Sequence, residues 1–373
     1  MAITTRRARS RPRLTRKIIT TATMLVTTLA VAACSSNAGA TSPSASSGTN
    51  TATNTGTKLG PNDTFKLGVS LTLNNTDFWT SYITYEQQFA QQYNAKLLGP
   101  IVNNGDAGKQ ITDIHTLIDE GAQALIVNPV DSAAIKPALD YAASKGVPVI
   151  SVDVAPTAGK TFMIVRADNK LYGQESCQYI GAHVKSGSVA DLEGNLASLN
   201  GRDRSDAFSS CMKKNFPSLK VVNYPTKWDS ATAVNAASTA LGSVSDLKAI
   251  YVQWSGPIPG ILQTLKSDNR LVPEGQPGHV VVVSNDGVPF ELQNIRAGTQ
   301  DATVSQPADL YAKYSVYYAR QALEGKTYTA GEASGHGTNF INLYGNLEDP
   351  IKAPLVTKAN VNDKSLWGNH TQP

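Results

Sequence analysis

From residue 65 onward, short runs of β-branched and other apolar residues alternate with amphipathic stretches of 12 to 16 residues. That order predicts parallel α/β layers. The runs at 65–71, 124–127, 147–152, 220–224, 249–252, 279–283 and 302–304 are mostly too apolar to alternate, as expected of strands that helices cover on both faces. Between them, Ile111, Ile114, Leu117 and Ile118 fall at helical spacing with Gly121 as a stop, and 134–145 followed by Gly146 repeats the pattern. Residues 361–373, including Trp367, form a tail to which the pattern assigns no element.

The first 62 residues follow a different rule. Seven basic residues up to Lys17 precede an apolar stretch at 18–33 that is interrupted by Thr20, Thr21, Thr23, Thr27 and Thr28, and small residues follow. Residues 1–33 therefore read as a cleaved export signal, too polar and short for a permanent membrane span. Val31-Ala32-Ala33-Cys34 resembles the lipobox of bacterial lipoproteins, which implies cleavage before Cys34 and a diacylglyceryl group on its sulfur. The segment 34–62 is almost wholly Ser, Thr, Ala, Gly and Asn, a composition that cannot bury a core. A flexible leash of that kind holds a domain roughly 30 Å from a membrane. The expected location is the outer face of the cell membrane.

Composition supports a folded, exported chain. The 373 residues are 41% hydrophobic and allow two domains. The net charge of +4 falls to −3 without residues 1–33, which hold seven of the 33 basic residues and none of the 29 acidic ones. No basic field is left to attract nucleic acid. With Cys34 lipidated, Cys177 and Cys211 remain and can pair as one disulfide in an oxidising compartment, as a structural staple in preference to a redox pair.

In open parallel sheets ligands bind beyond the carboxyl ends of the strands. Those positions here are polar and aromatic: Asn74, Asn75, Asp77, Phe78 and Trp79 after the first run, then Asn128-Pro129, Asp153, Trp228, Trp254, Asp286 and Gln306. Any one Trp could simply pack a loop on a sheet. Three of the four Trp residues at strand ends, interleaved with Asp, Asn and Gln, point to a site. Planar polar groups pair with adjacent hydroxyls while C–H faces lie on rings, so the composition suits a carbohydrate.

At these residues the chain resembles the ribose-type (type I) family of periplasmic sugar-binding proteins, the capture subunits of ABC importers. Thr72-Leu73-Asn74-Asn75 with Phe78-Trp79 resembles the first ligand loop, Ile126-Val127-Asn128-Pro129-Val130-Asp131 the second motif and Ile150-Ser151-Val152-Asp153 the third. Arg202-Asp203-Arg204-Ser205-Asp206-Ala207-Phe208 resembles the helix start in which Arg204 reaches the sugar and Arg202 stays on the surface. Trp228, Asn285-Asp286-Gly287-Val288-Pro289 and Thr303-Val304-Ser305-Gln306 follow in the family's order. The resemblance implies two α/β lobes, each a parallel sheet flanked by helices, with the ligand cleft between them. It places an N-terminal lobe at 63–167 and 307–335, a C-terminal lobe at 168–306 and 336–360, and three crossings of the chain. It also implies a monomer that needs no cofactor or metal and works with an ABC permease and its ATPase.

Three departures shape the expected ligand. The first loop carries one extra residue, with Asp77 as its added polar group. Val154 and Trp254 stand where ribose binders carry an Arg and an Asn. Fewer donors and more ring volume disfavour ribose and favour a sugar alcohol of four to six carbons, or another small monosaccharide. The expected function is solute capture by hinge closure, with a receptor for an autoinducer-like or amino-acid-like solute feeding a sensor protein as the alternative. Catalysis is not expected. Gly159-Lys160-Thr161 lacks the first Gly of a phosphate loop, Ser245-Asp246-Leu247-Lys248 and Ser267-Asp268-Asn269 lack a Lys-Thr-Gly partner, and the five His residues show no metal spacing. A sugar-responsive repressor would begin with a helix-turn-helix instead of an export signal.

Overall fold

The computed structural model describes residues 51–52 and 58–370. The expected signal at 1–33, the lipidation site Cys34 and most of the linker lie outside those residues, as do 371–373. Within them the chain begins with β1 (Thr51–Ala52) and then lays down β2 (Phe65–Leu71), β3 (Ala95–Val102), β4 (Ala124–Val127), β5 (Val149–Val152) and β6 (Met163–Ala167). Helices α1 (Asp77–Gln92), α2 (Ala107–Asp119) and α3 (Lys136–Ser144) link β2 to β3, β3 to β4 and β4 to β5. A second series follows: α4 (Asn169–His183), β7 (Gly187–Glu193), α5 (Leu199–Asn215), β8 (Leu219–Pro225), α6 (Ser230–Ser243), β9 (Leu247–Val252), α7 (Ile258–Ser267), β10 (Val281–Asn285), α8 (Pro289–Ala297) and β11 (Ala302–Val304). The chain returns through α9 (Ala308–Leu323), β12 (Tyr328–Thr329), β13 (Ile341–Leu343) and β14 (Asn346–Ile351), then ends with β15 (Leu355–Thr357) and a 3-10 turn at Trp367–Asn369.

Local chemistry sets these boundaries. Strands β4, β5 and β10 are buried along their whole length, and the covering helices begin where a side chain can cap them. Thr76, Asp106, Asp168, Ser198 and Asp229 each accept a hydrogen bond from a backbone N–H in the first turn of α1, α2, α4, α5 and α6. Gly121, at φ +89°, ends the turn after α2 in the left-handed region that a side chain would strain.

Two sheets result. The first runs β13-β14-β6-β5-β4-β2-β3 and the second β15-β11-β10-β9-β7-β8. Pairing is parallel within both except where β13 joins β14 and β15 joins β11. Helices α1 and α9 pack one face of the first sheet, with Tyr82, Tyr311 and Phe340 in its core, and α2 and α3 pack the other. In the second sheet α6 and α7 cover one face while α4 and α5 cover the other. Among the described residues no helix is long and apolar enough to cross a membrane.

The chain passes between the lobes at Asp168, at 305–307 and at 352–354. The third crossing corrects the boundary expected at 336. Strands β13 and β14 belong to the first sheet, because β14 pairs in parallel with β6 from Glu348–Ile164 to Ile351–Ala167. Several strands escaped the apolar pattern for a physical reason. Strand β3 is a half-buried edge strand carrying Gly99-Pro100, while β6 and β7 bury Arg166, Asp191 and Glu193 among their apolar residues. Within the expected tail, Leu366 and Trp367 are buried and so belong to the fold.

Cys177 of α4 and Cys211 of α5 form a disulfide that closes a 34-residue separation behind the second sheet. A crosslink of this span stabilises a fold by about 2–4 kcal/mol, chiefly by restricting the unfolded chain. Cys177→Ala combined with Cys211→Ala is expected to lower the unfolding free energy in urea by that amount. Dithiothreitol should do the same to the parent chain and nothing further to the double variant.

Candidate functional site

Strand order reverses between β2 and β4 in the first sheet and between β7 and β9 in the second, so the loops leaving these ends face one cleft. They enclose a cavity of about 60 Å³. Thr72, Phe78, Trp79, Asn128, Asp153 and Val154 line it from the first lobe, Ser198, Asn200, Arg204, Trp228, Trp254 and Asp286 from the second, and Gln306 from the second crossing. Nine of the eleven residues expected at a ligand site therefore meet in one place.

Asn75 and Asp77 do not. Both are exposed and outside the cavity. Thr76 is the N-cap of α1, its Oγ1 accepting from the Trp79 N–H at 3.3 Å. The helix start turns Phe78 and Trp79 inward and leaves Asp77, in the first helical turn, facing solvent at the positive end of the helix. Arg202, expected on the surface, is half-buried and donates to the carbonyls of Leu196 and Ala197 at 2.7 and 3.0 Å.

Arg204 is the centre of the polar network. Its Nε donates to Asn169 Oδ1 at 2.6 Å, one terminal nitrogen donates to the Gln253 carbonyl, and the other donates to Gln306 Oε1 at 2.7 Å. The guanidinium lies 4.7 Å from the centroid of the Tyr172 ring and 5.5 Å from that of Trp228, within cation–π range of each. Gln306 carries the network across the hinge, because its Nε2 donates to Asp153 Oδ1 at 3.1 Å. Asp153 also accepts from Asn200 Nδ2 at 2.9 Å and from Asn128 Nδ2 at 3.3 Å. Asp286 accepts from the Ser255 N–H and hydroxyl at 2.9 and 2.7 Å through one oxygen only.

Both carboxylates sit at left-handed positions just beyond a strand, Asp153 at φ +62° and Asp286 at φ +107°. Such backbone is costly for a non-Gly residue and aims each side chain into the cleft. Burial pushes both carboxyls above their ordinary range, Asp286 to about 6, with the Arg204 charge pulling back down. Two acids around one guanidinium disfavour an anionic guest, which would meet repulsion. Among the described residues no group of three or more His, Cys, Asp or Glu side chains is placed to hold a metal ion.

Aromatic rings form the walls. Trp228 and Trp254 meet edge to face at 5.4 Å, and Phe78 meets Trp79 in the same way at 5.1 Å. Gly194 makes room for Trp228, because a Cβ there would lie 2.0 Å from the indole. Two buried polar atoms of the lining have no protein partner, Trp254 Nε1 and Asn200 Oδ1. One is a donor and the other an acceptor, and buried orphans of this kind call for a guest. Asn200, absent from the sequence expectation, stands one helical turn before Arg204 on α5, so the spacing of four residues was the available signal.

The surroundings of the chain among known proteins agree with this geometry. It is 27% identical over 269 residues to a ribose import binding protein of Bacillus subtilis, covering 72% of this chain and 84% of that one. It is 26% identical over 258 residues to a xylitol-binding protein of Mycolicibacterium smegmatis, covering 67% and 71%. Among solved structures, an ABC transporter solute-binding protein from Mycobacterium smegmatis with bound glycerol superposes with a TM-score of 0.69 at 24% identity, over 83% of this chain and 99% of that one. Residues 67–327 match the family described as periplasmic binding protein domain, and the chain therefore belongs to the periplasmic binding protein family.

Proposed function

We propose that this chain is the lipid-anchored, extracytoplasmic solute-binding subunit of an ABC importer, and that it captures a small open-chain sugar alcohol. The observation that carries this reading is the enclosed cleft shared by both lobes, with aromatic walls, two carboxylates around one guanidinium, and the orphaned donor and acceptor on Trp254 and Asn200. A polyol hydroxyl both donates and accepts, so adjacent hydroxyls would satisfy Asp286, Asn200 and Trp254 while the carbon chain lies on the rings. The bulk of Trp254 in the lining favours a slender guest over a pyranose ring. A xylitol-binding relative and a fold neighbour holding glycerol support that direction.

Capture would follow from the division of contacts. Phe78, Asn128 and Asp153 belong to one lobe and Arg204, Trp228 and Asp286 to the other, so a guest touching both sets binds the shut form better than the open one. That differential affinity shifts the hinge equilibrium. A permease and its ATPase would then take the solute from the shut form. Val31-Ala32-Ala33-Cys34 supports the anchor.

A thermal-shift screen of tetritols, pentitols, hexitols, pentoses and hexoses tests the ligand class. A guest at 100 times its dissociation constant is expected to add about 2.7 kcal/mol of stability. The shift should appear for one stereochemical series of polyols and vanish in Asp286→Ala. Tight binding of ribose with indifference to every polyol would overturn the preference.

Affinity should also depend on acidity. The folded-state pKa of Asp286 is raised, so its own contribution to stability is complete below about pH 4 and is lost as pH rises through about 6. Binding runs the other way. Hydroxyls donate to the ionised carboxylate, so affinity should be level above about pH 7 and fall toward tenfold per pH unit below 6, with Asp153 acting in the same direction. Titration calorimetry from pH 4.5 to 8 should show this profile, and Asp286→Asn should bind weakly with most of the slope removed. The anchor is checked by Cys34→Ser, expected to move the protein from the membrane fraction into the soluble one.

A further inference from the structure

The C-terminal segment is rooted in one lobe and reaches the other. Val361 and Leu366 pack with Leu292, Ile295 and Val356 of the second lobe. Arg296 of α8 binds the segment at three points, donating to Asn362 Oδ1 at 2.8 Å, to the Val361 carbonyl at 3.1 Å and to Asn369 Oδ1. Asn369 returns two hydrogen bonds, to the carbonyls of Val361 and Asp363 at 2.8 and 2.7 Å. The root is thus a tied loop.

From this root Trp367 is inserted beneath the ligand cleft. It is 2% exposed, and its Nε1 donates to the main-chain carbonyl of Asp286 at 3.0 Å. Its ring meets that of Phe78, in the first lobe, edge to face at 6.0 Å. Gly368 lies so close to the loop after β10 that a Cβ would come within 2.2 Å of the Gly287 carbonyl. Further on, His370 Nδ1 lies 3.9 Å from Asp309 Oδ2 on α9 of the first lobe. Trp367 does not itself line the cavity.

We propose that residues 361–370 are a latch on the shut form, in which Trp367 is a positioning residue holding Asp286 through its carbonyl and Phe78 through its ring. Phe78 and Asp286 come from different lobes, so the contact with both is complete only when the lobes are together. Opening moves Phe78 away and exposes the indole. The latch therefore adds to the free-energy difference between shut and open forms, which a guest also biases. It rests on the reading that the cleft closes on a solute, and it assigns the tail a part in retention that the cavity lining does not reveal.

The test compares Trp367→Ala and Trp367→Phe with the parent full-length chain, using radiolabelled xylitol as probe. Losing an aromatic pair and a buried hydrogen bond is expected to speed release about 10- to 100-fold, with association changed less than about threefold. Trp367→Phe, which keeps a ring and loses the donor, should fall between. Unfolding midpoints are recorded alongside. A lower midpoint with an unchanged release rate would mean packing alone and would overturn the latch. If the parent chain does not bind xylitol, the polyol reading fails for that ligand, and the latch is decided by small-angle scattering of the ligand-free proteins. A larger radius of gyration in Trp367→Ala than in the parent supports it, and equal radii overturn it. Should Trp367→Ala not fold, Trp367→Phe is judged by the same release and scattering criteria.

Discussion

A guanidinium buried between two lobes needs hydrogen-bond acceptors around it, because transfer of an unpaired ion from water is prohibitively costly. Arg204 meets that demand with partners drawn from distant parts of the chain: Asn169 at the first crossing, Gln253 at the end of β9 and Gln306 at the second crossing. The hinge, the second sheet and the cleft are therefore held in one geometry. Asp153 and Asp286 can be buried nearby because the same charge offsets part of their desolvation. Remove the cation and two carboxylates remain with little to justify their burial.

The cleft is also where the two lobes touch directly. Arg166 of β6 pairs with Asp203 of α5 at 2.9 Å, and the Leu199 N–H donates to Ser132 Oγ at 2.8 Å. The Ser305 N–H donates to the Pro354 carbonyl at 2.9 Å, which ties the second and third crossings together. A rotation about the crossings would break this defined set of polar contacts. Positive-φ residues at the strand ends, Asp153, Trp228 and Asp286 among them, place local backbone cost at the positions that face the guest, where a rigid sheet on either side can maintain it.

Much of this was legible from periodicity. The apolar runs at 65–71, 124–127 and 302–304 reappear as β2, β4 and β11 with the same bounds, because strands covered on both faces leave an uninterrupted apolar signature. Strands with buried charge, such as β6 with Arg166 and β7 with Asp191, were invisible, since the polar partners that permit their burial lie elsewhere in the chain. The strand-end residues Asn128, Asp153, Trp228, Trp254 and Asp286 were found by position alone. Asn75 and Asp77 were misplaced because one capping interaction at Thr76 decides which way the following residues turn.

By itself the sequence determined the layered α/β class and most of the residues that meet in the cleft, because these follow from local pattern and the rule that sites lie at strand ends. Only the tertiary structure decided that β13 and β14 belong to the first lobe, that Asn200 and Trp254 carry unmatched polar atoms, and that Trp367 joins Phe78 to Asp286. Those properties depend on contacts between residues scores to hundreds of positions apart, and no local period records which distant groups will become neighbours when the chain closes on itself.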